Sequence, residues 1–191
     1  MDKIDWKLIK QLRSDGRKTY KELGTAIGFT SLGAKKRIEK LRNKNLIHIS
    51  ALVNTDALNL RLALILLEIE SAEAMRKIID RYSKCPRVIN FFTTMGGYNL
   101  IALVMAEDQT TLESESMEKC ALRSGEGIRR SESYLIGTVQ HYPFLPLKTD
   151  TLEEKGDVTP CGVQCKDCRS FQDKKCVGCP TLSYYRGPLE W

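Results

Sequence analysis

The chain has 191 residues and a net charge of +6, which leaves room for one large or two small domains with an appendage and enough length to bury a real core. No run approaches the length of a membrane span, and the charged N-terminus around Trp6 and Leu8 lacks a signal peptide's apolar stretch. The expectation is therefore a cytoplasmic protein with no membrane partner. The charge is unevenly placed: residues 1–50 carry 13 Lys and Arg against 5 Asp and Glu, a balance of +8, so this segment alone predicts a polyanionic partner.

In chain order, residues 3–13 carry Ile4, Leu8, Ile9 and Leu12 at helical spacing, and Ser14-Asp15-Gly16 closes that helix. Thr19 caps a second helix, with Glu22 completing a capping box and Leu23, Ala26 and Ile27 forming its apolar face. Gly28-Phe29 turns the chain into a third helix over Thr30 to Lys44, capped by Thr30 and stopped near Asn43 and Asn45. This third helix sets Ala34, Ile38 and Leu41 on one side. On the other stand Gly33, Arg37, Lys40 and Lys44, with Lys35 and Lys36 beside them. An apolar back with a basic, small-residue front suits a DNA major groove, whose walls are phosphate and whose floor is read by side chains. The candidate DNA contacts are Ser31, Gly33, Lys35, Lys36, Arg37, Lys40 and Lys44; the competing reading is an ordinary solvated basic face.

The run Ile4-Asp5-Trp6-Lys7-Leu8-Ile9, with Leu12-Arg13-Ser14-Asp15-Gly16-Arg17, Glu22-Leu23, Ile27-Gly28-Phe29-Thr30 and Lys36-Arg37-Ile38-Glu39-Lys40-Leu41, resembles the N-terminal domain of the Lrp/AsnC (leucine-responsive, feast/famine) transcription regulators. The order and spacing agree along the whole segment.

Residues 47–60 read as a strand-like connection with turn residues Asn54, Thr55 and Asp56. Arg61 to Glu70 is an apolar strand, Ser71 to Ser83 a helix, Val88 to Thr93 and Leu100 to Ala106 a hairpin around Gly96-Gly97-Tyr98-Asn99, Thr110 to Arg123 a helix, and Ser131 to Val139 a last strand. That succession is the ferredoxin-like βαββαβ arrangement. It is similar to the effector-binding domain of the same regulators, so the resemblance spans about the first 140 residues. It implies a homodimer made through the sheet, assembly of dimers up to octamers, and a small effector, often an amino acid, held near the hairpin by Gly97, Tyr98 and Asn99. Asn99 stands where the family usually has Asp, and an amide cannot ion-pair with an ammonium group, which argues against an amino-acid effector. The competing reading is that the glycines serve only the turn, with Tyr98 packing.

The fold class is thus α+β: a winged-type helix-turn-helix over residues 1–50, a connection over 51–60, the ferredoxin-like domain over 61–140, a linker over 141–160 with Asp150, Glu153, Glu154 and Asp157, and a small cysteine-rich module over 161–191. Five of the chain's seven cysteines fall in that module; Cys85 and Cys120 stand alone and read as buried reduced thiols. Cys161, Cys165, Cys168, Cys176 and Cys179 are the candidate metal ligands. Two Cys-x-x-Cys pairs can each turn both sulfurs to one point, with Gly162 and Gly178 allowing the tight backbone. Zn2+ suits the pair spacing. The fifth thiol, the run of three and the Cys179-Pro180 ending lean toward a [4Fe-4S] cluster. Tyr184, Tyr185 and Trp191 predict that the tail packs on something.

The sequence-level function is a DNA-binding regulator, its operator affinity modulated by the metal or iron-sulfur tail. The alternatives are an electron-transfer or metal-carrying protein, and a regulator with a purely structural zinc tail and an effector at the hairpin. Neither electron transfer nor metal carriage explains the basic first 50 residues. With only His48 and His141 and no nucleophile-base pair at the hairpin, no catalytic constellation is legible, and the chain is not read as an enzyme.

Overall fold

The computed structural model describes residues 1–150 and 155–189 and falls into two compact units, residues 1–51 and 52–191. Glu153 and Glu154 of the expected linker, and Trp191, lie outside the described residues. No described helix is long and apolar enough to cross a membrane.

The first unit is three helices, α1 (Lys3–Ser14), α2 (Tyr20–Ile27) and α3 (Ser31–Asn43). Each starts where a side chain can satisfy the orphan amides of a first turn. Asp2 and Asp5 form a reciprocal capping box on α1, Thr19 and Glu22 form another on α2, and the Thr30 hydroxyl accepts the Gly33 amide at 3.1 Å. Gly28, at φ 77°, ends α2 in the left-handed conformation. The apolar faces meet in a core of Leu8, Leu23, Ala34 and Ile38, with Leu12, Ile27 and Ile47 against it. Ile47 is spent on this core, and no strand forms within residues 1–51. The unit is therefore a bare helix-turn-helix, and the expected wing is corrected: a wing needs two paired strands, and only one short segment follows α3.

Gly24 sets the spacing of α2 and the turn. A Cβ there would sit 2.7 Å from the Phe29 carbonyl oxygen and 2.9 Å from that of Thr30.

The second unit is built on a four-stranded antiparallel sheet. β1 (Val53–Asn54) precedes β2 (Arg61–Ile69), α4 (Ala72–Tyr82), β3 (Val88–Thr93), β4 (Leu100–Ala106), α5 (Gln109–Met117), β5 (Ile128–Ile136), β6 (Phe144–Leu145) and the one-turn α6 (Arg169–Gln172). The sheet order is β3-β4-β2-β5, the ferredoxin-like order that the alternation of elements predicts. Along β2 every second residue, Ala63, Ile65, Leu67 and Ile69, enters a core with Leu100, Ala102 and Val104 of β4 and with Ile78, Tyr82 and Leu112 of the helices.

Two elements differ from expectation. The helix expected over residues 110–123 ends at Met117, and Glu118 is extended. Ser114 and Ser116 turn their hydroxyls back to the carbonyls of Thr110 and Leu112, which weakens the helix. The Glu118 carboxylate then accepts a hydrogen bond from Ser170 of the tail at 2.6 Å. Much of the expected linker is also docked. β6 pairs with β1, the buried Thr55 donates to the Pro143 carbonyl at 2.9 Å, and Leu145 and Leu147 join a second core with Leu60, Leu62, Ile89, Met105, Tyr185 and Leu189 on the other face of the sheet.

Gly24→Ala is expected to destabilise the helix-turn-helix by about 1–3 kcal/mol, because both neighbours are rigid main chain. Urea unfolding followed by far-ultraviolet circular dichroism would register the loss, and an unchanged midpoint would refute the close approach.

Candidate DNA-reading helix and cysteine chamber

The residues nominated on α3 do not all point outward. Ser31, Lys35, Lys36, Lys40 and Lys44 are exposed, and Lys36, Lys40 and Lys44, at successive i+4 positions, form one basic stripe. Lys35 leans toward Glu39 at 3.8 Å. Arg37 is committed inside the unit: its Nη1 lies 2.8 Å from Asp2 and 2.9 Å from Asp5, and its guanidinium stacks over the Phe29 ring at 5.1 Å. The Asp5 and Ile4 amides and Arg37 together hold the Asp2 carboxyl below its ordinary pKa. Gly33 is half-buried, and a Cβ on it would press against Phe29 at 3.2 Å and the Thr30 hydroxyl at 3.3 Å. Its small size serves the turn as well as any groove.

At the hairpin, Gly96 and Gly97 border open space, and neither has a positive φ. Tyr98 lies under the Arg130 guanidinium, 5.0 Å from ring centroid to cation. Its hydroxyl is buried, without a hydrogen-bond partner of good geometry, beside Glu132. Burial and that carboxylate push the phenol up to about 12. Asn99 is used in a way only an amide allows: its Oδ1 accepts the Ile69 amide at 2.8 Å while its Nδ2 donates to the Ile69 carbonyl at 2.7 Å. The side chain completes the β2 ladder where the hairpin begins.

The five tail cysteines meet something the sequence did not bring together. Cys161, Cys165, Cys168, Cys176 and Cys179 line one cavity of about 70 Å³, and so do Cys85, just ahead of β3, and Cys120, after α5. Every cysteine of the chain therefore faces the same chamber. The reading of Cys85 and Cys120 as isolated thiols is corrected, because folding sets them opposite the tail. Gly162 and Gly178 take positive φ of 78° and 86°, as the tight loops require. The Cys176 sulfur accepts the Gly178 amide at 3.4 Å, and the Cys179 and Cys161 sulfurs lie 3.2 and 3.3 Å from the hydroxyls of Thr181 and Thr159. Burial pushes the Cys85 thiol up to about 12 and Cys165 to about 11, and raises Cys120, Cys176 and Cys179. Left alone they are neutral thiols; a bound metal would have to draw off their protons.

Among the described residues no three metal-ligating side chains converge on one ion position. A single tetrahedral zinc, with bonds of about 2.3 Å, would bring its sulfurs to within about 3.8 Å of one another.

The tail is held against the sheet by a buried ion network. Arg87, directly before β3, has a side chain only 7% exposed; its Nη2 lies 2.6 Å from Glu107 and donates to the Gly178 carbonyl at 2.6 Å, and its Nη1 lies 2.5 Å from Glu115. The Tyr185 hydroxyl donates to the other Glu107 oxygen at 2.6 Å. Burial raises Glu115 to about 7 against the pull of Arg87. Nothing in the local sequence around Arg87 marked it, since its partners lie 20, 28 and 91 residues away.

Comparison with known proteins places this geometry. Residues 1–42 match the AsnC-type helix-turn-helix domain. Over 146 residues the chain is 25% identical to an uncharacterised HTH-type transcriptional regulator of Pyrococcus furiosus, an alignment that takes in 76% of this chain and 98% of that protein. It is 26% identical over 116 residues to the HTH-type transcriptional regulator FL11 of Pyrococcus horikoshii, covering 60% of this chain and 76% of the relative. Among solved structures, a Neisseria meningitidis transcriptional regulator in complex with L-Met superposes with a TM-score of 0.66 at 22% identity, covering 76% of this chain and 96% of that one. Escherichia coli AsnC does so with a TM-score of 0.63 at 18% identity, covering 75% and 98%. The fold is Lrp/AsnC-like, an N-terminal helix-turn-helix followed by an α+β domain with an antiparallel sheet.

Asn99→Ala is expected to cost the sheet domain about 1–3 kcal/mol, leaving both Ile69 main-chain groups unmet. Asn99→Asp keeps the acceptor and loses the donor. Its carboxyl faces a carbonyl, which raises the folded pKa, so its deficit should shrink as pH falls through that value and the protonated acid donates again. Urea midpoints of the three proteins across pH 3 to 8, roughly spanning the carboxyl range, would test this; equal midpoints would refute the role given to Asn99.

Proposed function

We propose that this chain is a DNA-binding transcription regulator of the Lrp/AsnC type whose operator affinity responds to a thiolate-held metal centre at its C-terminus, a [4Fe-4S] cluster in preference to Zn2+. The DNA-binding half rests on the AsnC-type helix-turn-helix and on the basic balance of the first 50 residues. The observation that carries the regulatory half is the chamber on which all seven thiols face. Five thiols of the tail bring more ligands than one zinc uses, and the run of three with the Cys179-Pro180 ending favours a cluster. A bound cluster would supply an anionic centre sensitive to oxygen and electron supply.

In this reading α3 enters the major groove. Lys36, Lys40 and Lys44 contact phosphates or base edges, and Ser31 stands at the approaching N-terminus. Arg37 braces α1 against α3 through Asp2 and Asp5, so it positions the reading helix from behind. The tail lies over the chamber, so loading the thiols would tighten a tail already docked on the sheet domain, through which dimers and higher oligomers would form. The hairpin residues Gly97, Tyr98 and Asn99 remain the place for a small effector. Asn99's commitment to Ile69 leaves the open space beside Gly96 and Gly97 as its floor.

Two expected outcomes test the proposal. On a duplex selected from a random pool, Lys36→Ala and Lys40→Ala should each weaken binding and each lower the slope of log affinity against log salt by about 1. Arg37→Ala should lower the thermal midpoint and leave that slope unchanged; the reverse pattern would put Arg37 on the DNA. Anaerobic purification followed by an absorption spectrum and metal and sulfide analysis should show iron with acid-labile sulfide in the wild type and none in Cys165→Ser/Cys168→Ser. Operator affinity and oligomer size should differ between the two. Colourless protein with stoichiometric zinc would assign the tail a structural role, and identical affinity and size would sink the regulatory link.

A further inference from the structure

Among the described residues lining the cysteine chamber, Arg87 is the only cation. Its two terminal nitrogens are spoken for by Glu107, Glu115 and the Gly178 carbonyl. Its Nε is buried with no hydrogen-bond partner, an unmet donor of a kind that folded proteins rarely leave without a use. Of the thiols, Cys176 and Cys179 flank Gly178, whose carbonyl Arg87 holds at 2.6 Å. Thiolates gathered in a largely apolar cavity form an anionic site, which needs both a countercharge and donors aimed at sulfur.

We propose that Arg87 is the positioning residue of the thiolate-held centre: its Nε donates to a sulfur of that centre, and its charge offsets the thiolates of Cys176 and Cys179. The inference rests on the reading of the tail as a metal site and extends it into the sheet domain. Through Nη2, Arg87 also holds Gly178, one residue from Cys179, and its own carbonyl accepts the Met105 amide at 2.9 Å. One residue thus joins the centre to the β3–β4 edge of the sheet. A change of charge at the centre is felt first at Arg87, and then by the two carboxylates and the strand pair that Arg87 ties together.

The test uses the full chain reconstituted anaerobically with ferrous iron and sulfide, as wild type, as Arg87→Lys and as Arg87→Gln/Glu115→Gln. Arg87→Lys keeps the charge and loses the Nε donor; the double variant removes the charge together with one of the carboxylates it balances. All three should take up iron and sulfide. In a dithionite titration the midpoint potential should shift to more negative values, most in the double variant, because the reduced and more anionic centre loses the Nε donor in Arg87→Lys and both donor and guanidinium in the double variant. Release of iron to a chelator should be faster in the same order. If the double variant fails to fold by far-ultraviolet circular dichroism, Arg87→Lys decides by the same two readouts. A loaded wild type with unchanged potential and unchanged iron release in the folded variants overturns the role of Arg87 alone. A wild type that takes up zinc and no sulfide overturns the cluster reading beneath it, and this inference with it.

Discussion

A single buried guanidinium organises the second half of this molecule. Arg87 leaves water at the start of β3, and an uncompensated charge there would cost several kcal/mol. The fold meets that cost with Glu107 at the end of β4, Glu115 on α5 and the Gly178 carbonyl of the tail. Those partners fix where the edge strand, the second helix and the cysteine loops must stand. The tail is therefore part of the sheet domain's interior, and Tyr185 and Leu189 continue the contact on the other face of the sheet. A chamber lined by seven thiols accompanies this docking, with the tail's five cysteines set around the same cavity as Cys85 and Cys120.

The first unit shows the weaker form of the same device. Arg37 pairs with Asp2 and Asp5, but these groups keep contact with water, and such pairs contribute little on their own. What holds the three helices is local, namely caps at Asp2, Thr19 and Thr30, the left-handed Gly28 and the small apolar core around Leu8 and Ile38. Arg37 chooses how α1 lies against α3, and in doing so leaves the basic face to the lysines. In the proposed reading, a surface made of Lys36, Lys40 and Lys44 is mainly electrostatic and would give affinity for the DNA backbone before sequence preference.

The hairpin illustrates how one residue type changes a site's chemistry. A carboxylate beside the Ile69 carbonyl would be repelled, whereas the Asn99 amide binds both main-chain groups of that residue. The amide at this position, which the sequence marked as a loss of ion pairing, is in the structure a gain of main-chain pairing. Tyr98, Arg130 and Glu132 then form a compact polar cluster beside it on the sheet.

The sequence by itself determined the features whose physics is short-range. The Thr19-Glu22 capping box, the ends of α1 and α3, the hairpin limits and the αL glycines of the cysteine loops all depend on residues a few positions apart. Their spacing carries the information. The order of strands followed from the succession of elements, because short connections leave few ways to close an antiparallel sheet. Only the tertiary structure decided the rest. It turned Arg37 inward, left the helix-turn-helix without a wing by using Ile47 in its core, stopped α5 at Met117, and drew much of residues 141–160 onto the sheet. It also gathered Cys85, Cys120 and Arg87 around the tail cysteines. These outcomes join residues far apart in the chain, where the free energy of burying a charge or an apolar face selects the partner and no local pattern records the choice.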